Sequence, residues 1–174
     1  MEDIEKEFIE AYNTHSNQIF RFVFFRLNDR EKAKELTQET FLKTWVYISK
    51  TGAMKNIRAF LYKVASNLVV DEYRRGGRAK ITSLDLAMEN GHDFAVEEKE
   101  SLLDKLDGSQ ILELVKLLPK SYADVLYMKY VEDMSISEIA EAIDGSNNVV
   151  SVRINRGIVK LKKIVSQKMK QNEY

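Results

Sequence analysis

The stretch SISEIAEAIDGSNNVVSVRINR, from Ser135 to Arg156, predicts two short helices joined by a tight turn. Ser135 and Glu138 have the spacing of a capping box, in which each side chain accepts a hydrogen bond from a free backbone N–H at a helix start. Asp144-Gly145 supplies the residues of a tight turn. The stretch therefore predicts a helix-turn-helix unit, whose first helix presents an apolar face formed by Ile136, Ile139, Ala140 and Ile143.

The second helix of this unit separates apolar from polar side chains. Val149, Val150 and Ile154 fall on its inward face. Asn, Ser and Arg side chains on the outward face, at the front of such a helix, are the groups that contact base edges and phosphates in a DNA major groove. The candidate DNA contacts are Ser146, Asn147, Asn148, Ser151, Arg153, Asn155, Arg156 and Lys160, with Lys162 and Lys163 as further phosphate contacts.

The composition indicates a helical protein without a metal centre. The 174 residues include only one Pro and seven Gly, and 44% are apolar, so helices and a packed core are expected. There is no Cys, and His15 and His92 lie far apart, which excludes a zinc site on the usual ligand spacing. No apolar run has the length of a signal or membrane-spanning segment. A cytoplasmic location is expected.

The net charge is zero, but the charges are unevenly distributed along the chain. Residues 1–80 carry 15 Lys/Arg against 11 Asp/Glu, and residues 81–110 carry 2 against 8. Residues 111–174 carry 10 against 8, with seven basic and no acidic residues from 151 to 170. This order predicts two DNA-facing domains joined by an acidic connector.

Three amphipathic segments precede the connector. They span residues 3–27, 29–50 and 56–75, with Asn28 and Glu31 as the predicted start of the second. Thr51-Gly52 and Gly76-Gly77 are the predicted ends of the second and third. The expected core consists of Phe8, Tyr12, Ile19, Phe20, Val23 and Phe24 in the first segment, Ala33, Leu36, Phe41, Leu42 and Trp45 in the second, and Ile57, Phe60, Leu61, Val64, Ala65, Leu68 and Val69 in the third.

The fold class predicted from these patterns is all-α, with two small helical domains. A three-helix domain is expected at residues 1–77 and an acidic flexible linker at 78–108. A four-helix domain that contains the helix-turn-helix unit is expected at 109–174. Its first two helices are predicted up to Leu118 and from Ser121 to Val131, on either side of Pro119.

The order of these segments resembles bacterial RNA polymerase sigma factors of the extracytoplasmic-function (ECF) subfamily, over nearly the whole chain. The stretch ELTQETFLKTW, from Glu35 to Trp45, is similar to the helix by which these factors bind the polymerase clamp. The stretch IRAFLYKVASNLVVDEYRR, from Ile57 to Arg75, is similar to the helix that binds and opens the promoter −10 element. Leu118-Pro119, residues 127–130 and residues 135–163 are similar to the domain that reads the −35 element.

The resemblance implies partners and site residues. Core RNA polymerase, promoter DNA and an anti-sigma factor are the implied partners. No cofactor, small-molecule substrate or membrane insertion is implied, and catalysis is left to the polymerase. The implied contacts to core polymerase are Glu35, Gln38, Glu39 and Lys43. The implied contacts to the −10 element are Lys55, Asn56, Arg58, Lys63, Asn67, Arg74, Arg75 and Arg78.

Two other functions stay open at this stage. A stand-alone regulator would bind duplex DNA without polymerase, usually as a dimer on paired half-sites. A sigma mimic would keep the polymerase-like surfaces and sequester an anti-sigma factor. An enzyme is disfavoured, because no paired carboxylates, nucleophile constellation or phosphate loop occurs. Asn67 and Asp71 fit capping or pairing within the helical bundle as well as DNA contact.

The chain departs from the family pattern at three places. Residues 149–153 read Val-Val-Ser-Val-Arg where the family commonly has Thr-Val-Lys-Ser-Arg, so one basic residue is missing. Gly157 stands where Ala is usual, at a helix-interior cost of up to about 1 kcal/mol. Ser66 stands where Arg is frequent. These differences predict altered or weaker reliance on a −35 element.

Overall fold

The computed structural model describes residues 2–77 and 106–171, and every regular element in these two ranges is an α-helix. The all-α prediction is confirmed. Of the predicted linker at 78–108, residues 78–105 lie outside the described residues. The helices are α1 (Glu2–Leu27), α2 (Arg30–Thr51), α3 (Ile57–Arg75), α4 (Gly108–Val115), α5 (Lys120–Tyr130), α6 (Ile136–Ala142) and α7 (Asn147–Gln171).

The described residues form two compact units. The first contains residues 2–77 and 135–146, and therefore α1, α2, α3 and α6. The second contains residues 106–134 and 147–171, and therefore α4, α5 and α7. In the first unit α1, α2 and α3 pack against one another, and α6 packs against α3. In the second unit the main contact is between α5 and α7.

The boundary between α1 and α2 lies one residue from the predicted position. Asp29 caps α2, because its carboxylate accepts a hydrogen bond from the Lys32 N–H at 3.0 Å. Asn28, the predicted cap, has a φ of +53° and ends α1, with its N–H bonded to the Phe24 carbonyl at 2.8 Å. Asn tolerates this left-handed conformation, which is the usual way for a helix to end. Gly52, with a φ of +90°, ends α2 as predicted.

The predicted buried face of α1 is wrong, because it is rotated about the helix axis relative to the observed one. Ile19 and Val23 are buried as expected, but Phe22 and Phe25 are buried in place of Phe20 and Phe24. The exposed predicted residues include Tyr12, at 47%, and Phe24, at 37%; Phe8 and Phe20 are half-buried. Because α1 contacts α2 and α3 together, its buried face is set by both neighbours and cannot be located from its own pattern.

Two threonines replace predicted apolar residues in the core of α2. Thr40 and Thr44 are fully buried, and each hydroxyl donates to the carbonyl four residues earlier, at 2.7 and 2.8 Å. That bond removes the cost of burying the hydroxyl. Leu42, a predicted core residue, is instead 61% exposed, while Trp45 is half-buried with its ring 5.1 Å from that of Phe8. The confirmed core residues of α2 are Ala33, Leu36 and Phe41.

The third helix carries the centre of the first unit. Leu61, Ala65, Leu68 and Val69 are buried as predicted, whereas Ile57, Phe60 and Val64 are half-buried. Tyr62 was missed by the pattern. It is fully buried, and its ring meets that of Phe22 edge-on, with the centroids 5.2 Å apart. Edge-to-face pairs of this kind add to the stabilisation that comes from burying the rings.

The predicted capping box at the start of α6 is confirmed. The Glu138 N–H donates to Ser135 Oγ at 3.2 Å, and the Ser135 N–H donates to Glu138 Oε2 at 2.8 Å. After α6 the turn places its positive φ at Asp144, at +54°. The Gly145 N–H then returns to the Ala140 carbonyl at 2.9 Å. Local sequence therefore fixes both ends of this helix.

A second capping box starts α4. The Asp107 carboxylate accepts from the Gln110 N–H at 2.9 Å, and the Asp107 N–H donates to the Gln110 side chain at 3.1 Å. Hydrogen bonds from the Ser109 hydroxyl and then the Gln110 N–H lower the pKa of Asp107. The ionised carboxylate also suits a helix N-terminus, where the backbone dipoles point positive.

Gly157 lies where α7 crosses α5. A Cβ added there would be 3.1 Å from Leu126 Cδ1, 3.3 Å from Leu126 Cγ and 3.4 Å from Tyr122 Cβ. Leu126 and Tyr122 are themselves buried, so neither can move away freely. The presence of glycine at position 157 is therefore explained by close packing of the two helices. Helix propensity alone does not account for this contact.

Gly157→Leu should destabilise the second unit by about 1–3 kcal/mol, because overpacking forces the two helices apart. We expect faster amide hydrogen exchange in α5 and α7, measured by mass spectrometry. Asn155→Leu places the same side chain at an exposed position of the same helix and should leave these exchange rates nearly unchanged. Equal exchange in both variants would contradict the packing argument.

Candidate nucleic-acid interface

Burial of one side of α7 fixes which side chains it presents to solvent. Val150, Ile154 and Leu161 are buried, and Gly157 faces Tyr122 and Leu126 on α5. A helix turns about 100° per residue. The polar residues at the front of α7 are consequently held on its outer side by packing, and not by loop geometry.

The predicted −35 contacts form two lines along this outer side. Asn147, Ser151 and Asn155 recur every four residues, with Asn148 beside them. Arg153, Arg156 and Lys160 form a second line at intervals of three and four. The predicted residues that are exposed are Ser146, Asn147, Asn148 and Asn155, and those that are half-buried are Ser151, Arg153, Arg156 and Lys160. The amide and hydroxyl groups therefore lie together along one flank of α7, and the basic side chains lie along another.

The lysines farther along α7 do not share one environment. Lys160 lies over the ring of Tyr122, with its nitrogen 5.7 Å from the ring centre, a cation–π contact that orients the side chain. Lys162 is only 8% exposed, so its predicted role as a phosphate contact is wrong. A lysine buried to this extent can cover apolar surface with its stem. Lys163 is exposed, as a phosphate contact requires.

The predicted −10 contacts extend along α3. Asn56 is the N-cap of α3, and its side chain accepts from the Ala59 N–H at 3.1 Å, which is a structural role. Lys55 and Asn67 are exposed. Arg78 lies outside the described residues. At 1.5 Å and about 100° per residue, Arg58 and Arg74 are about 24 Å apart along the axis and about 160° apart around it. The set is therefore spread along α3 and is not a cluster; it is called the −10 track below.

The two ends of this track differ in their ion pairs. Arg74 and Arg75 are 66% and 65% exposed, and their contacts with Asp71 at 3.4 Å and Glu72 at 3.6 Å lie within the same helix. Pairing within the bundle, which the sequence left open for Asp71, is thus observed. Exposed pairs of this type contribute little to stability and leave the guanidinium groups accessible.

At the other end, the pairs are made with residues of α6 and of the turn after it. Arg58 Nη1 lies 3.8 Å from Glu138 Oε1, and Lys63 Nζ lies 2.7 Å from Asp144 Oδ1. Arg58 and Lys63 are 21% and 34% exposed. Sequence spacing did not predict these contacts, since the partners are about 80 residues apart in the chain.

The predicted polymerase contacts lie on the outer side of α2. Gln38 and Lys43 are exposed, and Lys43 pairs with Glu39 at 3.2 Å. Lys32 donates a hydrogen bond to Glu35 at 2.8 Å, and this bond is the main cause that raises the pKa of the Lys32 amine. This surface is therefore already organised by short ion pairs along the helix.

Two apolar residues on the same surface were missed by sequence reasoning. Leu42 is 61% and Val46 is 43% exposed, and they continue the line from Gln38 at steps of four residues. Large exposed apolar side chains among polar ones are typical of protein interfaces. The sequence could have indicated that Leu42 and Val46 are exposed, because they share one line of the helix with polar residues such as Gln38.

Within residues 2–77 and 106–171, no group of three or more His, Asp or Glu side chains is placed to hold a metal ion. None of the helices described in these ranges has the length and apolar character needed to cross a membrane.

Comparison with known proteins identifies both halves of the chain. Residues 11–79 match the model of Sigma-70 region 2, and residues 109–161 match the model of Sigma-70, region 4. The ECF RNA polymerase sigma factor SigW of Bacillus subtilis (strain 168) is 23% identical over 163 residues, covering 90% of this chain and 87% of SigW. RNA polymerase sigma factor YlaC of the same organism is 28% identical over 156 residues, covering 88% and 89%.

A solved structure of the sigma factor RpoE, in complex with the anti-sigma factor NepR from Bartonella quintana, shares the fold. Its TM-score is 0.66 at 17% sequence identity, and the match covers 92% of this chain and 98% of that chain. Two models of one family, matched in chain order and together spanning most of the sequence, agree with relatives that are similar over most of their length. The chain belongs to the sigma-70 family of RNA polymerase sigma factors, in its extracytoplasmic-function subfamily, and directs promoter-specific transcription initiation.

Proposed function

We propose that the N-terminal and C-terminal parts of the chain recognise different elements of the promoter. Residues 1–77 bind core RNA polymerase and the −10 element, residues 109–174 read the −35 element, and residues 78–108 link them. The observation that carries this proposal is that each matched region has its own exposed polar or basic surface, at Arg74 and Arg75 in one and along the front of α7 in the other. The chain supplies specificity, and the polymerase supplies the chemistry in the cytoplasm.

The polymerase contact is assigned to the outer side of α2. Glu35, Gln38, Glu39 and Lys43 provide its polar part, and Leu42 provides an apolar centre. An interface with an apolar centre and a charged rim is favourable because the centre excludes water while the rim selects the partner. The opposite side of α2, which includes the buried Thr40 and Thr44, is covered by packing within the first unit, and this packing determines which side of the helix stays exposed.

The −35 contact is assigned to the outer side of α7. Asn148 and Asn155 are exposed and can donate and accept hydrogen bonds at base edges, whereas Lys163 is suited to the phosphate backbone. These are different kinds of contact. A base contact changes sequence preference, and a phosphate contact changes affinity for every sequence equally.

Asn148→Ala should therefore weaken binding to the cognate −35 duplex by about 1–3 kcal/mol and reduce discrimination at one base pair. Lys163→Ala should weaken binding to all duplexes alike and reduce the slope of log affinity against log salt by about 1. Fluorescence anisotropy with the promoter duplex and single-base variants measures both. Loss of affinity without any change of preference in Asn148→Ala would refute base reading by that residue.

An anti-sigma factor is proposed as a further partner. The relative RpoE was solved in complex with the anti-sigma factor NepR. The exposed apolar residues of α2 provide a surface that such a partner needs, since binding there would compete with core polymerase. Competition between the two proteins for α2 is the form of regulation that this surface supports.

A further inference from the structure

The basic track on α3 is partly covered by a segment of the chain's own C-terminal half. The segment comprises α6 and the turn after it, residues 135–146, and it packs against α3 within the first unit. Its contact residues include two acids, Glu138 and Asp144. Each acid meets one of the cations assigned to the −10 element, Arg58 and Lys63.

Each acid lies beside its own cation on α3. Arg58 and Lys63 are five residues apart on α3, or about 7.5 Å along the axis. Glu138 Oε1 lies 3.8 Å from the Arg58 guanidinium, and Asp144 Oδ1 lies 2.7 Å from the Lys63 amine. Two carboxylates thus stand next to the groups that would otherwise bind two phosphates of a DNA strand.

Both acids are held in place by local structure. Glu138 accepts from the Ser135 N–H through Oε2, and its other oxygen is directed to Arg58. Asp144 has a φ of +54°, which is fixed by the turn that ends α6. The carboxylate of Glu138 is therefore already ordered when it meets Arg58, and the backbone that carries Asp144 is already fixed, which lowers the loss of freedom on pairing.

We propose that the α6 segment masks the N-terminal part of the −10 track, with Glu138 and Asp144 occupying the places of DNA phosphates on Arg58 and Lys63. The inference rests on the proposed role of α3 in −10 binding. In the masked state Arg74 and Arg75 stay accessible, as do Lys55 and Asn67, whereas Arg58 and Lys63 are covered. When α6 is displaced, Arg58 and Lys63 also become available to DNA, and the affinity of α3 for DNA rises.

The test uses the full-length protein and a fluorescein-labelled, 20-nucleotide single-stranded DNA of mixed sequence. The unmasking variant is Glu138→Gln/Asp144→Asn. Gln keeps the capping box of α6, and Asn tolerates the positive φ of the turn, so the fold is retained while both charges are removed. Fluorescence anisotropy gives the dissociation constant at fixed salt.

A matched control removes the same charge from the same kinds of position. Glu141 is exposed on α6, and Asp133 has a φ of +50° between α5 and α6, so Glu141→Gln/Asp133→Asn changes the net charge equally. We expect the unmasking variant to bind about threefold to tenfold more tightly than the wild type, as two partly exposed ion pairs allow. The control should differ from the wild type by less than about twofold.

A third variant, Arg58→Gln/Lys63→Gln, separates the two hypotheses. It should have little effect in the wild-type background, where the cations are masked, and should abolish the gain in the unmasked background. A gain no larger than the control overturns masking, even when Arg58 and Lys63 prove to bind DNA. A gain that persists without Arg58 and Lys63 shows a general charge effect, which overturns masking and removes these two residues from the −10 assignment.

Discussion

Phe22→Ala should destabilise the first unit by about 3–5 kcal/mol, a large part of the stability of an ordinary domain. Phe22 is fully buried on α1 and meets the ring of Tyr62 on α3, with the centroids 5.2 Å apart. Truncation removes this contact and leaves a cavity between two helices. Because the proposed −10 contacts lie on α3, transcription activity should fall with the loss of folded protein.

The chain provides its own probe and control for this prediction. Trp45 is the only tryptophan and packs against Phe8 in the first unit, so its fluorescence during urea unfolding reports on that unit. Phe24→Ala makes the same substitution on the same helix at a position that is 37% exposed, and it should cost less than about 1.5 kcal/mol. Similar losses in the two variants would show that the core of α1 has been placed wrongly.

Arg74→Ala/Arg75→Ala should reduce promoter-specific transcription by about tenfold or more while leaving the protein folded. The two guanidinium groups are about two-thirds exposed and pair only weakly along their own helix, so their loss costs little stability. Each removes a contact to the DNA backbone or a displaced base, and losses of about 1 kcal/mol apiece multiply to this factor. Run-off transcription with core polymerase and a genomic promoter pool measures the effect.

The control for this variant is Lys6→Ala/Lys168→Ala, which removes two exposed positive charges from α1 and from the C-terminal end of α7, outside the proposed contact residues. Its transcription should stay within about twofold of the wild type. Binding of both variants to core polymerase, followed by gel filtration, checks that the polymerase surface on α2 is intact. Full activity of Arg74→Ala/Arg75→Ala would exclude these residues from −10 recognition.

Features that depend on neighbouring residues were predictable from sequence. The capping box of Ser135 and Glu138 forms as its spacing indicates, and the glycine that ends α2 lies where expected. The helix ends agree with the predictions to within a few residues. Such signals work because hydrogen bonds at helix ends are made within one turn of the chain.

The buried face of a helix was less predictable. For α1 the pattern selected Phe20 and Phe24, and packing selected Phe22 and Phe25. For α2 it selected Leu42, which is exposed, and overlooked Thr40 and Thr44, whose hydroxyls are satisfied by the helix itself. An aromatic-rich helix offers several apolar faces, and only the positions of its neighbours decide which one is covered.

The same distinction between local and tertiary features applies to the candidate site. Sequence alone indicated the capped helix α6, the polar front of α7, the basic third helix and the family resemblance, because each is carried by residue types at local spacing. Tertiary structure decided that Lys162 is buried, that Gly157 permits close contact with Leu126, and that Arg58 and Lys63 are paired with Glu138 and Asp144. These outcomes depend on the packing of helices distant in the chain, and no local pattern encodes the distance between two such helices.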